Sequence, residues 1–158
     1  MDAEWDARAC TTMISGRDDD VDAIDTTVHK TYHWIDELAR DLGGVGRREA
    51  YRDLRAFLQT VRDRLVVDEV AHLAAQLPML IRGLYYEGWD PSKTPVKMDR
   101  VEFVVAFVSR ALLSPECDPE ATLQAAARVV RRHITEGEVE NFLQLLPTDL
   151  RRLLDVAA

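Results

Sequence analysis

The 158 residues carry 20 Lys+Arg against 28 Asp+Glu, a formal charge of −8, and 47% of them are hydrophobic. A chain of this size and composition buries a sizeable core, roughly 70% of its unfolded surface, without disulfides or a metal. A disulfide scaffold and a collagen-like or disordered chain are therefore excluded as the main description.

The acidic excess is uneven. Residues 1–25 hold eight acids against Arg8 and Arg17, a net −6, and the other 133 residues carry −2. Residues 1–24 mix these acids with Gly16 and small polar residues, and Trp5, Met13 and Ile14 show no sustained period, which predicts a flexible acidic arm. The charge balance argues against a nucleic-acid partner, because phosphate affinity comes from clustered, uncompensated cations. No basic flank and apolar run of a signal peptide opens the sequence, and its longest strongly apolar stretch, 103–108, falls far short of the ~20 residues of a membrane span. A cytoplasmic protein with no membrane partner is the expectation. Cys10 and Cys117 have no C-x-x-C or Cys/His spacing, so neither zinc nor redox work is indicated.

From Thr27 a helical period begins, with Val28, Thr31, Ile35, Leu38 and Leu42 on one stripe, and Gly43, Gly44 and Gly46 stop it. A second helix follows on Tyr51, Leu54, Leu58, Val61 and Leu65, and a third from about Asp68 to Leu77. Pro78 suits a first helical turn and starts a short fourth segment through Leu80, Ile81 and Leu84. After a loop over residues 88–95 the pattern restarts with clearer signals. Asp99 with Glu102 is an N-cap and N3 pair, Asp118 precedes Pro119, and Thr135 with Glu138 has the capping-box spacing. Pro147 opens a last segment through Leu150, Leu153 and Leu154.

The restart is a repeat. One offset of 69 pairs Pro78 with Pro147, Leu54 with Leu123, Val61 with Val130, Arg62 with Arg131, Glu69 with Glu138 and Arg82 with Arg151. Ten of the 31 positions from 54 to 84 are identical at this offset, where average composition gives about two. The prediction is an all-α, pseudo-symmetric helical bundle of about seven to eight helices from a tandem duplication. Half A covers 25–90 and half B 97–158, packed as one compact domain over 25–158.

The segment Gln76-Leu77-Pro78-Met79-Leu80-Ile81-Arg82-Gly83-Leu84-Tyr85-Tyr86-Glu87-Gly88-Trp89, with the later Thr135-Glu136-Gly137-Glu138, Leu146-Pro147 and Leu150-Arg151, resembles the bacterial domain-of-unknown-function family 2267. The resemblance runs from about Thr27 to the C-terminus. It implies an all-helical, duplicated bacterial domain and no particular activity.

Several residues invite a functional reading beside a plainer one. Tyr85, Tyr86 and Trp89 have no counterpart after Leu154, so they suit an asymmetric ligand or partner surface, or plug the seam between the halves, and the seam is the favoured reading. Arg82 and Arg151, present in both copies, suit an anion or partner surface, or internal ion pairing and helix C-terminal capping, which ranks first. Asp25, His29, His33 and Glu37 recur every four residues as transition-metal ligands can, but a single helix rarely encloses a metal. Glu69 and His72 form the E-x-x-H of di-iron bundles, yet their mates are Glu138 and Asn141, so a twofold site is not encoded. No metal and no cofactor is expected. Nucleophile elbows, phosphate loops and H-E-x-x-H are missing, which leans against an enzyme. The expected function is a non-enzymatic interaction module with a protein partner or a second copy of itself. The rival is a small-ligand or metal-binding protein, enzyme included, using a cleft between the halves edged by Trp89, Tyr85, Tyr86 and His72.

Overall fold

A computed structural model describes residues 21–157. They form eight α-helices: α1 (Asp22–Asp41), α2 (Arg47–Arg64), α3 (Val67–Gln76), α4 (Met79–Tyr86), α5 (Arg100–Ala111), α6 (Pro119–His133), α7 (Glu136–Gln144) and α8 (Thr148–Leu154), with one 3-10 turn at Pro91–Lys93. No strand occurs among the described residues, and no described helix is long and apolar enough to cross a membrane. The flexibility expected of the arm, and Cys10 within it, fall on residues 1–20 and lie outside the described residues. Cys117 is half-buried, with a free thiol.

Helix α1 opens at Asp22, five residues before the apolar period starts at Thr27, and so takes in three residues assigned to the arm. Its early apolar residues are not covered by the core, and Val21 and Ile24 stay 61% and 50% exposed. Asp22 and Asp25 in the first turn favour the helix dipole instead. The helix ends where Gly43 and Gly44 take φ of 85° and 89°, a left-handed conformation that side chains disfavour, and the Gly44 amide returns to the Ala39 carbonyl at 2.8 Å.

The later helix starts use the residues marked in the sequence. Asp99 and Glu102 make a reciprocal capping box, and the Asp118 carboxylate accepts from the amides of Glu120 and Ala121. Thr135 accepts from the Glu138 amide at 3.4 Å, which supplies one arm of the expected box. Pro78 and Pro147 are the N-cap residues of α4 and α8.

The long helices α1, α2, α5 and α6 form the central bundle. Helix α2 packs on α1 and across onto α5 and α6, and α6 packs back onto α1, while α3/α4 and α7/α8 flank it as short pairs. The core runs through all eight helices, with Tyr85, Phe103, Phe107, Leu38 and Leu58 among its largest fully buried side chains. Two helix stripes differ from expectation. Trp34, absent from the expected α1 stripe, is 2% exposed, while Val28 and Tyr51 from the expected stripes are each 37% exposed and face a groove instead.

The offset of 69 reappears in the contacts. It carries α3 (67–76) onto 136–145 and α4 (79–86) onto 148–155, close to the observed α7 and α8. Arg82 donates to the carbonyls of Ala74 and Leu77, and Arg151 donates to those of Leu143 and Leu146. Arg62 donates to the Glu87 carbonyl, and Arg131 donates to the Val156 carbonyl. Across the bundle Asp41 on α1 pairs with Arg132 on α6 at 2.9 Å, and Arg110 on α5 pairs with Asp63 on α2. The offset maps one pair onto the other with the charges exchanged.

Residues 56–62 of α2 are buried without interruption, so its polar side chains need partners inside. Thr60 donates to the Ala56 carbonyl and Gln59 to the Leu84 carbonyl. Arg62, 4% exposed, donates to the carbonyls of Tyr85 and Glu87 at 2.7 and 2.9 Å and to the Asp63 carboxylate. Removing its guanidinium strands two carbonyls near the C-terminus of α4. We expect Arg62→Met to cost roughly 2–4 kcal/mol in urea unfolding. Arg131→Met, whose acidic partners Asp155 and Glu136 are exposed, should cost about 1 kcal/mol or less. Equal losses would show that burial of Arg62 carries no special weight.

Candidate functional site

The aromatic segment after α4 divides by depth. Tyr85 is fully buried, and burial pushes its phenol above the usual range. Tyr86 and Trp89 are half-buried, and their rings stand 5.5 Å apart at a 39° tilt. Gly88, at φ 69°, turns the chain so that the Trp89 amide reaches the Tyr86 carbonyl. Arg82 and Arg151 each spend their guanidinium on the last carbonyls of α3 and α7 within their own half. One apolar pocket between the halves is about 40 Å³, is lined by Phe57, Val61, Val130, Phe142 and Leu154 among others, and includes none of Tyr85, Tyr86, Trp89 or His72. A small-molecule pocket takes ~300–1,000 Å³.

Larger clefts open at the surface, two of them lined by residues of both halves. A groove of about 510 Å³ runs between α1, α2 and α4, with a floor of Thr31, Ile35 and Leu84 and walls of Val28, Tyr32, Tyr51 and Leu80. Arg47 and Arg48 stand at its edge. The Arg47 guanidinium lies 4.9 Å from the Tyr32 ring centre and forks onto Asp36 at 2.6 and 2.8 Å, which holds the Asp36 carboxyl below its ordinary range. Val21 and Ile24 continue the apolar wall of α1 toward its N-terminus.

The histidines singled out in the sequence fare differently. His29 is exposed. His72 Nδ1 lies 3.7 Å from Glu69 Oε2, both on α3, and among the described residues no further His, Cys, Asp or Glu closes a ligand set with them. His33 Nε2 lies 3.9 Å from Glu37 Oε1 on α1, and here a second helix does contribute: His133 at the end of α6 places Nε2 on the other Glu37 oxygen. The three ligand atoms lie within 4.8 Å of one another. Trp34, buried beneath, stacks on the His133 ring at 4.6 Å and 18°, and the His33 ring meets that of His133 edge-on at 5.6 Å. Beside them opens a cleft of about 400 Å³, lined by Lys30, Gln76, Leu77 and Pro78. His133 is 96 residues from Glu37, and no local spacing announces it.

Asp53, which no motif marks, is the most perturbed carboxylate of the described residues. It is 1% exposed, its Oδ1 has no hydrogen-bond partner, and it lines a cleft with Glu49, Asp41, Cys117, Asp118 and Arg128. Burial raises its pKa to about 6, with Arg52 lowering and Glu49 raising it by smaller amounts.

The family described as "Uncharacterized conserved protein (DUF2267)" matches residues 31–153, which covers α1 from Thr31 onward, α2 through α7 and α8 as far as Leu153, and so includes the histidine cluster but not Val28 of the groove. No curated protein matches the chain.

The Asp53 shift has a stability consequence. Its folded pKa lies above the unfolded value near 3.8, so the fold holds the proton more tightly, and Asp53 weakens the fold as pH rises between about 4 and 6. An uncharged amide at this position has no such dependence. Asp53→Asn should match the parent near pH 4 and exceed it by roughly 2–3 kcal/mol at pH 7.5, read from urea unfolding at both pH values. A constant difference across that range would refute the shift.

Proposed function

We propose that this chain, which belongs to the DUF2267 family of uncharacterized conserved proteins, works as a cytoplasmic helical interaction module rather than as an enzyme. Its docking surface is the groove between α1, α2 and α4, and its occupant is an acidic amphipathic helix of a protein partner. One observation carries this reading: Val28, Tyr32, Tyr51 and Leu80, 37–49% exposed, ring a groove whose charged lining residues are both arginines, Arg47 paired with Asp36 and Arg48 exposed. Large apolar side chains gathered around a concavity mark interaction surfaces on soluble proteins. With Val21 and Ile24, the exposed positions 21, 24, 28 and 32 repeat at helical spacing, about three turns along α1, the length over which a partner helix lays its own i, i+3, i+4 face.

Arg48 sets the sign of the partner. Arg47 is committed to Asp36, whereas Arg48 is exposed and makes no ion pair with a described residue. An incoming acidic flank meets that guanidinium without displacing an internal bond, and a basic flank meets repulsion. Tyr32 and Tyr51 add large contact area with a polar tip, the type of side chain that dominates binding energy at interfaces.

Two further readings belong with this one. Residues 25–158 form a single compact domain, and the two halves arose by tandem duplication. The recurrence of the Arg82/Arg151 and Arg62/Arg131 bonds at one offset supports the second.

The test uses a labelled synthetic helix of about 14 residues, with Leu at i, i+3, i+4 and i+7 spacing and Glu on its flanks, titrated with the full chain by fluorescence anisotropy. Saturable binding is expected, weakened about fivefold or more by Tyr32→Ala and by Arg48→Glu, while the same peptide with Lys in place of Glu binds far more weakly. No binding, or binding indifferent to both substitutions, would overturn the docking groove.

A further inference from the structure

We infer that His33, Glu37 and His133 form a binding site for one divalent transition-metal ion, with zinc as the ion their chemistry fits best. Two imidazoles and one carboxylate are a complete protein ligand set for a zinc site that keeps its fourth position for water or an anion. The site shares no residue with the docking groove and does not depend on it.

The geometry supplies what a single helix lacks. His33 and Glu37, one turn apart on α1, approach from one side, and His133 arrives from α6 on the other. Tetrahedral zinc at ordinary Zn–N and Zn–O lengths sets its ligand atoms about 3.3 Å apart. The Glu37 and His133 ligand atoms, now in direct contact, must part slightly to admit an ion between them, and the longest separation in the trio is 4.8 Å at most. The side chain that must move to close the gap is His33, which is 56% exposed and free to turn about its side-chain torsions. His133 is held in place: its ring lies flat on Trp34, which is 2% exposed, so its orientation is set by the core before any ion arrives. The neighbouring cleft of about 400 Å³, with Lys30 and Gln76 in its wall, gives an ion a route in and leaves room for the fourth ligand.

The pseudo-symmetry of the bundle provides an internal comparison. At the offset of 69 the counterparts of His33, Trp34 and Glu37 are Glu102, Phe103 and Ala106, and the position equivalent to His133 is Arg64. That interface between α5 and α2 packs around a fully buried Phe103 with no histidine and no carboxylate in Glu37's place. Packing of this helix pair therefore does not call for the His–Glu–His set. The set is an addition to one of two otherwise corresponding interfaces, and it gathers two imidazoles from different helices on the two oxygens of one carboxylate, an arrangement that serves either a metal ion or a pair of His–Glu contacts and that zinc titration separates.

The test is zinc titration of the full chain after removal of metal with chelator, followed by competition against a chromophoric zinc chelator and by thermal unfolding with and without one equivalent of zinc. One zinc per chain is expected, with a rise in Tm on binding. His33→Ala, which alters an exposed side chain and leaves the core intact, should lower the affinity about tenfold or more and abolish most of the Tm rise. Glu37→Gln and His133→Gln should do the same. His72→Ala, on α3, should change nothing and serves as the control for surface histidines. Absence of stoichiometric zinc binding by the parent chain, or undiminished binding by His33→Ala, overturns the site and leaves Glu37–His133 as an ion pair between α1 and α6.

Discussion

Burying the middle of α2 on every side is the constraint that the rest of the fold obeys. A helix enclosed over residues 56–62 cannot leave any polar group unanswered, since each stranded donor or acceptor costs on the order of 1–3 kcal/mol. Gln59 and Arg62 answer by fixing the C-terminal end of α4, through the carbonyls of Leu84, Tyr85 and Glu87. Asp63 answers on the opposite side by accepting from Arg110 of α5, and its own carbonyl takes the Val96 amide at 2.7 Å. One stretch of helix thereby ties the short pair α3/α4 and the first helix of the second half to the same axis.

The same arrangement returns around α6 in weaker form. Arg131 is more exposed than Arg62 and works on side chains at the surface, and the Asp41–Arg132 pair mirrors Asp63–Arg110 with its charges exchanged. The bonds that recur at the offset of 69 make the places where it fails informative. The apolar groove lies beside α4 in the first half, and the His33–Glu37–His133 cluster occupies one of the two α1/α6-type interfaces. Both features sit where the repeat is broken, because a structural requirement common to the halves is met in each, and residues present in only one are free to serve something else.

Much of the architecture was legible in the chain. Proline at 78 and 147, glycine at 43 and 44, and the acid-led starts at Asp99 and Asp118 act within a few residues of themselves, so their effects are local and the helices end and begin where they stand. The apolar period marked Leu38, Leu54 and Leu58, the offset of 69 added Leu123 and the last segment added Leu150, all of them buried. It failed at Val28 and Tyr51, because periodicity finds the apolar face of a helix and not whether a neighbour covers it. It also passed over Arg62 as a core residue, because a buried guanidinium is recognisable only from the carbonyls that receive it.

The candidate site was half-legible for the same reason. His33 and Glu37 were visible as an i, i+4 pair, since helix geometry alone puts them on one face. His133 and Trp34 join them only because α6 crosses α1 at that turn, a juxtaposition of residues 96 apart that no spacing rule contains. Asp53 likewise reads as an ordinary helix-surface acid, and its raised pKa exists only because the bundle closes over it. The sequence by itself determined an all-helical fold for the described residues, their helix boundaries apart from the start of α1, and a recurrence at 69 residues, because caps, breakers and periodicity act over one or two turns. Which helix faces were covered, which arginine was enclosed and which histidines met were decided by tertiary packing, because burial and long-range contact are properties of the assembled helices and of no single segment.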